Sequence, residues 1–224
     1  MKRVVIACSM MEDELHRAYR ETGCRLPVHW LERGYHNTPE KLREALQREV
    51  DRLQEYDEIL LAYGLCGNGT AGLVSRHAVL VIPKFDDCIN LMLCLGPRKE
   101  RGLAQTGSIY LTRGWTLDGE AVLQQKENYI EMYGEEEARE ILEMMYEHYE
   151  RIAVIDTGCY DLGAVQAYAR QAGELLSLEP VTVEGSAGIL EKLLLGEWDE
   201  NFIVQRPGQP LAASQWEYVT HPVH

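Results

Sequence analysis

Glu58-Ile59-Leu60-Leu61-Ala62-Tyr63-Gly64-Leu65-Cys66-Gly67-Asn68-Gly69 joins the clearest apolar run of the chain to its clearest turn. Glu58 to Tyr63 is short and bounded, the signature of a strand covered on both faces. The glycines and asparagine that follow let the backbone reverse sharply. Such a strand belongs to a parallel or mostly parallel sheet, and the rest of the chain agrees. Val4 to Ala7, Val28 to Leu31, Ala78 to Ile82, Ile152 to Ile155, Val181 to Val183 and Phe202 to Val204 read as further strands, with Ser108 to Leu111 as an edge strand.

Helical patterns lie between these strands. One opens at Met11-Glu12-Asp13-Glu14-Leu15. A second begins with Thr38 as cap and Pro39 at the first helical position, and places Leu42, Leu46, Val50 and Leu53 on one face. Others cover Asp87 to Leu95, Leu162 to Ser177 and Ala187 to Leu195. The alternation predicts an α/β fold with a mostly parallel sheet and helices on both faces. A single domain over residues 1–224 is the simplest organisation. Two similar α/β lobes around a cleft, residues 1–118 and 151–224 joined by an acidic helical stretch over 119–150, are the alternative.

Composition narrows the function. The 224 residues are 46% hydrophobic and 26% charged, as in an ordinary folded domain. Twenty-two Lys and Arg against 36 Asp and Glu leave a formal charge of −14, which repels nucleic-acid phosphates and anionic lipid heads. Pro97-Arg98-Lys99-Glu100-Arg101 is too short for a nucleic-acid footprint and reads as a solvated helix end. No apolar run approaches the roughly 20 residues that span a bilayer. Val5-Ile6-Ala7-Cys8 imitates a lipoprotein cleavage box, but the apolar stretch before Cys8 is far shorter than the roughly 7–15 residues of a signal peptide. These features predict a cytoplasmic protein with neither a nucleic-acid nor a membrane partner. Glu120 to Glu150 holds ten Glu with only Lys126 and Arg139 as Lys or Arg, and Gly134 predicts a break between two helices. A solvated outer face is the plain reading of this segment, and an acidic docking surface is the alternative.

Six cysteines are present: Cys8, Cys24, Cys66, Cys88, Cys94 and Cys159. A chain of this length without an export signal does not need disulfides, which points to thiols or metal ligands. No pair has zinc-knuckle or thioredoxin spacing. Position is more telling. Cys8, Cys66, Cys88 and Cys159 each follow a different expected strand, where loops of a parallel sheet converge on one crevice. Thiolates are soft ligands suited to zinc, cuprous ions or iron–sulfur clusters. Gly64, Gly67, Asn68, Gly69 and Gly158 put flexible backbone beside Cys66 and Cys159, and their N–H groups are candidates to cradle an anionic group.

Other motifs carry weaker signals. Gly67-Asn68-Gly69-Thr70-Ala71-Gly72 matches the dinucleotide fingerprint, with Asp86 and Asp87 near the acidic position, but too few residues follow for a crossover helix. No Gly-Lys-Ser or Gly-Lys-Thr forms an NTPase phosphate loop. His29 inside a strand reads as a hydrogen-bonded residue or a metal ligand, and His77 precedes a strand. Asp86 and Asp87 are expected to cap the following helix or to serve Cys88 as acid–base partner. Asp156 and Asp161 invite the same two readings beside Cys159. Trp115 and Trp198 read as packing residues, with Arg113-Gly114-Trp115 as a candidate pocket wall.

Taken together, Tyr63-Gly64-Leu65-Cys66-Gly67-Asn68-Gly69, Asp87-Cys88-Ile89, Leu111-Thr112-Arg113-Gly114-Trp115 and Gly196-Glu197-Trp198-Asp199 resemble the family known as domain of unknown function 1638. The likeness runs from Cys8 to about Gly208. It implies the setting of methanogens and other anaerobes, with genes near corrinoid-dependent methyltransferases and corrinoid-activating proteins. Where the family usually has His-Asp-Cys, this chain has Phe85-Asp86-Asp87-Cys88. Cys24 and Cys94 fall outside the motifs.

The expected function is a metal-binding protein of anaerobic one-carbon or corrinoid-linked metabolism. Cys8, Cys66, Cys88 and Cys159 would hold an iron–sulfur cluster, including the 4Fe–4S form that four thiolates suit. Zinc-dependent methyl transfer to a thiol, with His29 as a further ligand, is the enzymatic alternative. A non-catalytic module docking a corrinoid protein through Glu120–Glu150 is the other. A corrinoid or redox protein is the expected partner, and homo-oligomerisation is compatible with the sequence.

Overall fold

The computed structural model describes residues 1–94 and 107–216. Pro97 to Arg101, expected as a helix end, lies outside them, as does Leu95. The chain divides into two compact units, Met1–Leu91 with Ala187–His224, and Met92–Ser186.

The first unit is built on a five-stranded sheet of order β2-β1-β3-β4-β8, with β1 Arg3–Cys8, β2 Val28–Leu31, β3 Glu58–Ala62, β4 Val79–Pro83 and β8 Phe202–Gln205. The first four strands are parallel, and β8 adds an antiparallel edge against β4. All five residues of β3 are buried, so both faces of the sheet centre are covered. Its helices are α1 Glu12–Thr22, α2 Pro39–Arg52 and α8 Gly188–Leu195. α1 packs on α8, and α8 on β3 and β4. Leu42, Leu46, Val50 and Leu53 are all buried, as their spacing predicts. Thr38 does occupy the N-cap of α2 next to Pro39, but its side chain makes no capping hydrogen bond.

Arg3 and Glu58 face each other in the β1–β3 register, and their side chains form an ion pair at 2.5 Å. The Arg3 guanidinium also lies 5.1 Å from the Trp198 ring centre. Gly196, at φ 82°, leaves room for it, since a Cβ there would stand 3.0 Å from an Arg3 nitrogen. Trp198 Nε1 donates to the Leu193 carbonyl at 3.0 Å, and Lys192 pairs with Asp199 at 2.7 Å. Gly196-Glu197-Trp198-Asp199 therefore closes α8 and packs on Arg3.

The second unit holds a parallel three-stranded sheet, β5-β6-β7, with β5 Ser108–Leu111, β6 Arg151–Asp156 and β7 Glu179–Glu184, and β5 is indeed an edge strand. Its core combines Leu111, Ile152 and Val154 with Val122, Val165, Ala169, Ala172 and Leu178, and Trp115 packs against it. Gly134, at φ 93°, separates α5 Val122–Tyr133 from α6 Glu135–Tyr146. α7 Leu162–Leu176 is capped by Asp161, whose Oδ1 accepts the Gly163 N–H at 3.0 Å. Two short helices complete the set: α3 Cys88–Met92, which belongs to the first unit up to Leu91 and is well short of the expected Asp87–Leu95 helix, and α4 Arg113–Thr116 in the second. Among the described residues no helix is long and apolar enough to cross a membrane.

Candidate metal centre

The strand order places β1 and β3 side by side while the chain leaves β1 for β2 on the other side. In parallel sheets such a reversal is where ligands collect, beyond the carboxyl ends of the two strands. Cys8 is the last residue of β1. Cys66 lies four residues past the end of β3, and Cys88 opens α3 after β4. Three of the expected thiols thus stand at the ends of three adjacent parallel strands in the first unit.

The loops holding them are bonded together. Leu65 N–H donates to the Phe85 carbonyl at 2.8 Å, and Cys66 N–H to the Asp86 carbonyl at 2.8 Å. Gly64 permits this approach: a Cβ on it would stand 2.7 Å from the Phe85 carbonyl oxygen and 2.8 Å from the Asp87 Cα. Thr70, fully buried, donates its hydroxyl to the Gly64 carbonyl at 3.0 Å and its N–H to the Leu65 carbonyl at 3.3 Å. Cys66, Gly67 and Asn68 have φ of 49°, 62° and 71°, three consecutive residues in the left-handed region. L-residues adopt that region at a cost of about 1–2 kcal/mol each, so the Cys66 backbone is held by its surroundings. The turn closes with Gly69 N–H on the Cys66 carbonyl at 3.0 Å.

The short spacing to the next strand, which argues against the dinucleotide fingerprint, leaves no crossover helix here. No helix follows Gly67-Asn68-Gly69-Thr70-Ala71-Gly72, and β3 reaches β4 through turns alone. The helix N-terminus that would bind a pyrophosphate is missing from this segment.

Asp87 resolves to a capping role. Its Oδ1 accepts from the Asn90 N–H at 2.7 Å and from Asn90 Nδ2 at 3.0 Å, which anchors the first turn of α3 and with it Cys88. Asp86 is exposed and Phe85 is buried.

The three thiols share one electrostatic environment. Burial pushes the Cys66 thiol up to about 12. Charge at Cys8 and Asp87 adds to the rise, while backbone hydrogen bonds from Gly64 and Cys88 oppose it. Cys88 is held well above the ordinary thiol range, by burial first and then by charge on Cys66, Cys8 and Asp87. Tyr63, immediately past β3, is only 2% exposed, and its hydroxyl has no hydrogen-bond partner among the described residues. Burial first, and then charge on Cys8, Cys66 and Cys88, holds this phenol well above its ordinary range and keeps it protonated. Sequence reasoning missed Tyr63, because a tyrosine ending an apolar strand carries no local mark of function.

The remaining candidates belong to other elements of the fold. Cys159 belongs to the second unit, beyond β6, where its thiol donates to the Thr157 carbonyl at 3.2 Å. Gly158 N–H donates to Asp156 Oδ1 at 3.0 Å. His29 Nδ1 lies 3.3 Å from Glu49 Oε2, and His77 is exposed. No cysteine forms a disulfide. The donor chemistry at the strand ends is all sulfur, with hydrogen bonds already directed at Cys66. The thiols do not form a finished ion cage: among the described residues, no group of three or more His, Cys, Asp or Glu is arranged to hold a metal ion.

No curated protein and no solved structure matches the chain. The family described as "Protein of unknown function (DUF1638)" matches residues 30–194, a narrower span than the likeness from Cys8 to Gly208. The span contains Tyr63, Cys66, Cys88 and Cys159 and begins after Cys8. Because it covers most of the 224 residues, the chain belongs to the DUF1638 family.

Proposed function

We propose that Cys8, Cys66 and Cys88 are ligands of an iron–sulfur cluster at the strand ends of the first unit, and that the protein serves anaerobic one-carbon or corrinoid-linked metabolism. One observation carries this reading. Three thiols follow adjacent strand ends, where burial and charge on Cys8 oppose ionisation of Cys66 and Cys88, and charge on Cys66 further opposes that of Cys88. Such a set is unfavourable as bare thiolates, and a thiophilic cationic centre relieves it, because metal binding displaces the thiol protons and neutralises the sulfur charge. Backbone hydrogen bonds to Cys66 and the unpartnered Tyr63 hydroxyl suit the sulfur-rich surface of a cluster. When bound, such a group supplies electron transfer or a substrate site at iron. The chain's own part is to hold the sulfurs, exclude water and direct hydrogen bonds at them.

Anaerobic purification and reconstitution, with iron and sulfide analysis and visible absorption, test the reading. Bound iron that is lost in Cys66→Ser and Cys88→Ser supports it. A colourless, iron-free protein after reconstitution rejects it, and stoichiometric zinc without iron selects the zinc-thiolate alternative. Full iron loading in Cys159→Ser confines the required thiolates to the first unit.

A second reading, docking of a corrinoid or redox protein through Glu120–Glu150, draws support from the apolar side chains this acidic segment exposes. Met132, Tyr133, Met144, Met145 and Tyr149 are all exposed, Met144 at 72%. Soft, adaptable methionines are common on protein-binding surfaces. Affinity for a purified corrinoid protein that survives loss of Cys66 and Cys88 but collapses on neutralising the glutamates supports docking.

A further inference from the structure

The β1–β3 register pairs Ala7 with Ala62. One residue further along both strands come Cys8 and Tyr63, and residues level with each other in neighbouring strands point to the same face. Tyr63 is therefore beside Cys8 and three residues before Cys66, in the loop that Gly64 presses against Cys88's own turn. Its ring is buried, and its hydroxyl is one of the few buried side-chain groups left without a hydrogen-bond partner among the described residues. A buried, unbonded hydroxyl costs about 1–3 kcal/mol, and phenylalanine would fill the same space without that cost. Tyr63 thus joins the strand end beside Cys8 to the loop that carries Cys66.

We infer that the Tyr63 hydroxyl donates a hydrogen bond to the sulfur of the group held by Cys8, Cys66 and Cys88, and thereby raises its reduction potential. The inference rests on the iron–sulfur reading. Its physics is direct: reduction adds negative charge to the cluster, a donor to sulfur favours the more negative state, and removing the donor favours the oxidised state. Tyr63 is a positioning and tuning residue, since the bond it makes is to the group and no covalent step passes through it.

The test compares wild type and Tyr63→Phe, both reconstituted anaerobically with iron and sulfide, by iron content and by potentiometric titration followed in the visible spectrum. The expected result is equal iron per chain and an oxidised-to-reduced ratio about tenfold higher in Tyr63→Phe at a given potential, a fall of about 59 mV for a one-electron couple. In the metal-free protein Tyr63→Phe should unfold at the same or a higher urea concentration, because it deletes an unbonded hydroxyl; a purely structural tyrosine gives that result too, so the potential discriminates. If the phenylalanine variant does not load, replacing Tyr63 with 3-fluorotyrosine, a stronger donor of nearly the same shape, should raise the potential. Iron in wild type with an unchanged potential in both variants overturns the inference and leaves the iron–sulfur reading standing. No iron in wild type, or zinc in its place, overturns both.

Discussion

Gly64 lies against the backbone of Asp87 so closely that a Cβ on Gly64 would stand 2.8 Å from the Asp87 Cα. The contact adjoins two backbone hydrogen bonds, Leu65 to Phe85 and Cys66 to Asp86, that bind the loop after β3 to the loop after β4. Each loop carries one thiol of the site, so this glycine sets the distance between Cys66 and Cys88.

Gly64→Ala should therefore act on stability and site together. The obstructing atoms are backbone and yield little, so overpacking is expected to cost about 1–3 kcal/mol in urea unfolding of the metal-free chain. Iron loading should fall with it. Gly119→Ala, at a position with nothing within 4 Å of the added methyl, serves as the control and should change neither. Wild-type stability in Gly64→Ala would show that the two loops separate freely.

Cys66 gives a different signature, because its backbone is left-handed at φ 49°. Glycine enters that region without the steric cost an L-residue meets. Metal-free Cys66→Gly should be more stable than Cys66→Ala by about 1 kcal/mol, while both lose iron equally. Equal unfolding midpoints for the two variants would mean the left-handed turn relaxes once the thiol is gone.

Asp87 separates a cap from a charge. Asp87→Ala deletes the acceptor for Asn90 and should cost about 1 kcal/mol, loosening the turn that begins with Cys88. Asp87→Asn keeps an acceptor oxygen and removes the negative charge that opposes ionisation of Cys66 and Cys88. Iron loading should accordingly survive in the Asn variant and drop in the Ala variant. Alkylation of the metal-free thiols at fixed pH should be faster in Asp87→Asn than in wild type.

Stability of the metal-free chain should fall on the alkaline side. The Cys66 thiol is raised from 9.0 to about 12 on folding, so between those values the folded state keeps a proton that the unfolded state has lost. Unfolding then releases a proton and becomes easier as pH rises. The contribution is complete below pH 9.0 and declines as pH climbs toward about 12. Cys88 is raised in the same sense and adds to the slope. Urea midpoints measured from pH 8 to 10.5 should decrease in wild type and decrease less in Cys66→Ser. Parallel curves would show that the thiol titrates alike in both states.

Much of the architecture was legible along the chain because strand and helix periodicities are local. Val28–Leu31 and Ser108–Leu111 are strands with the expected ends, Pro39 opens α2, and Gly134 breaks the acidic stretch. Asp161 caps its helix as its position suggested. Thr38 looked like an equally good cap, yet its side chain does not bond to α2. The glycines after β3 serve turns and close backbone approaches, and the short spacing to β4 by itself argues against a dinucleotide loop. Whether a motif bonds as its residues permit depends on dihedral angles and neighbours that spacing does not record.

Apolar runs, turn residues and charge were enough to establish an α/β chain, thiols beyond strand ends and a negatively charged surface. These follow from side-chain transfer to a core and from backbone preferences of single residues. The assignment of strands to two sheets, the antiparallel place of β8 and the placement of Cys8, Cys66 and Cys88 after three adjacent parallel strands came from pairing between segments far apart in the chain. Register and inter-loop hydrogen bonds are long-range contacts, fixed when the whole core packs, and they set where Cys66 and Cys88 stand.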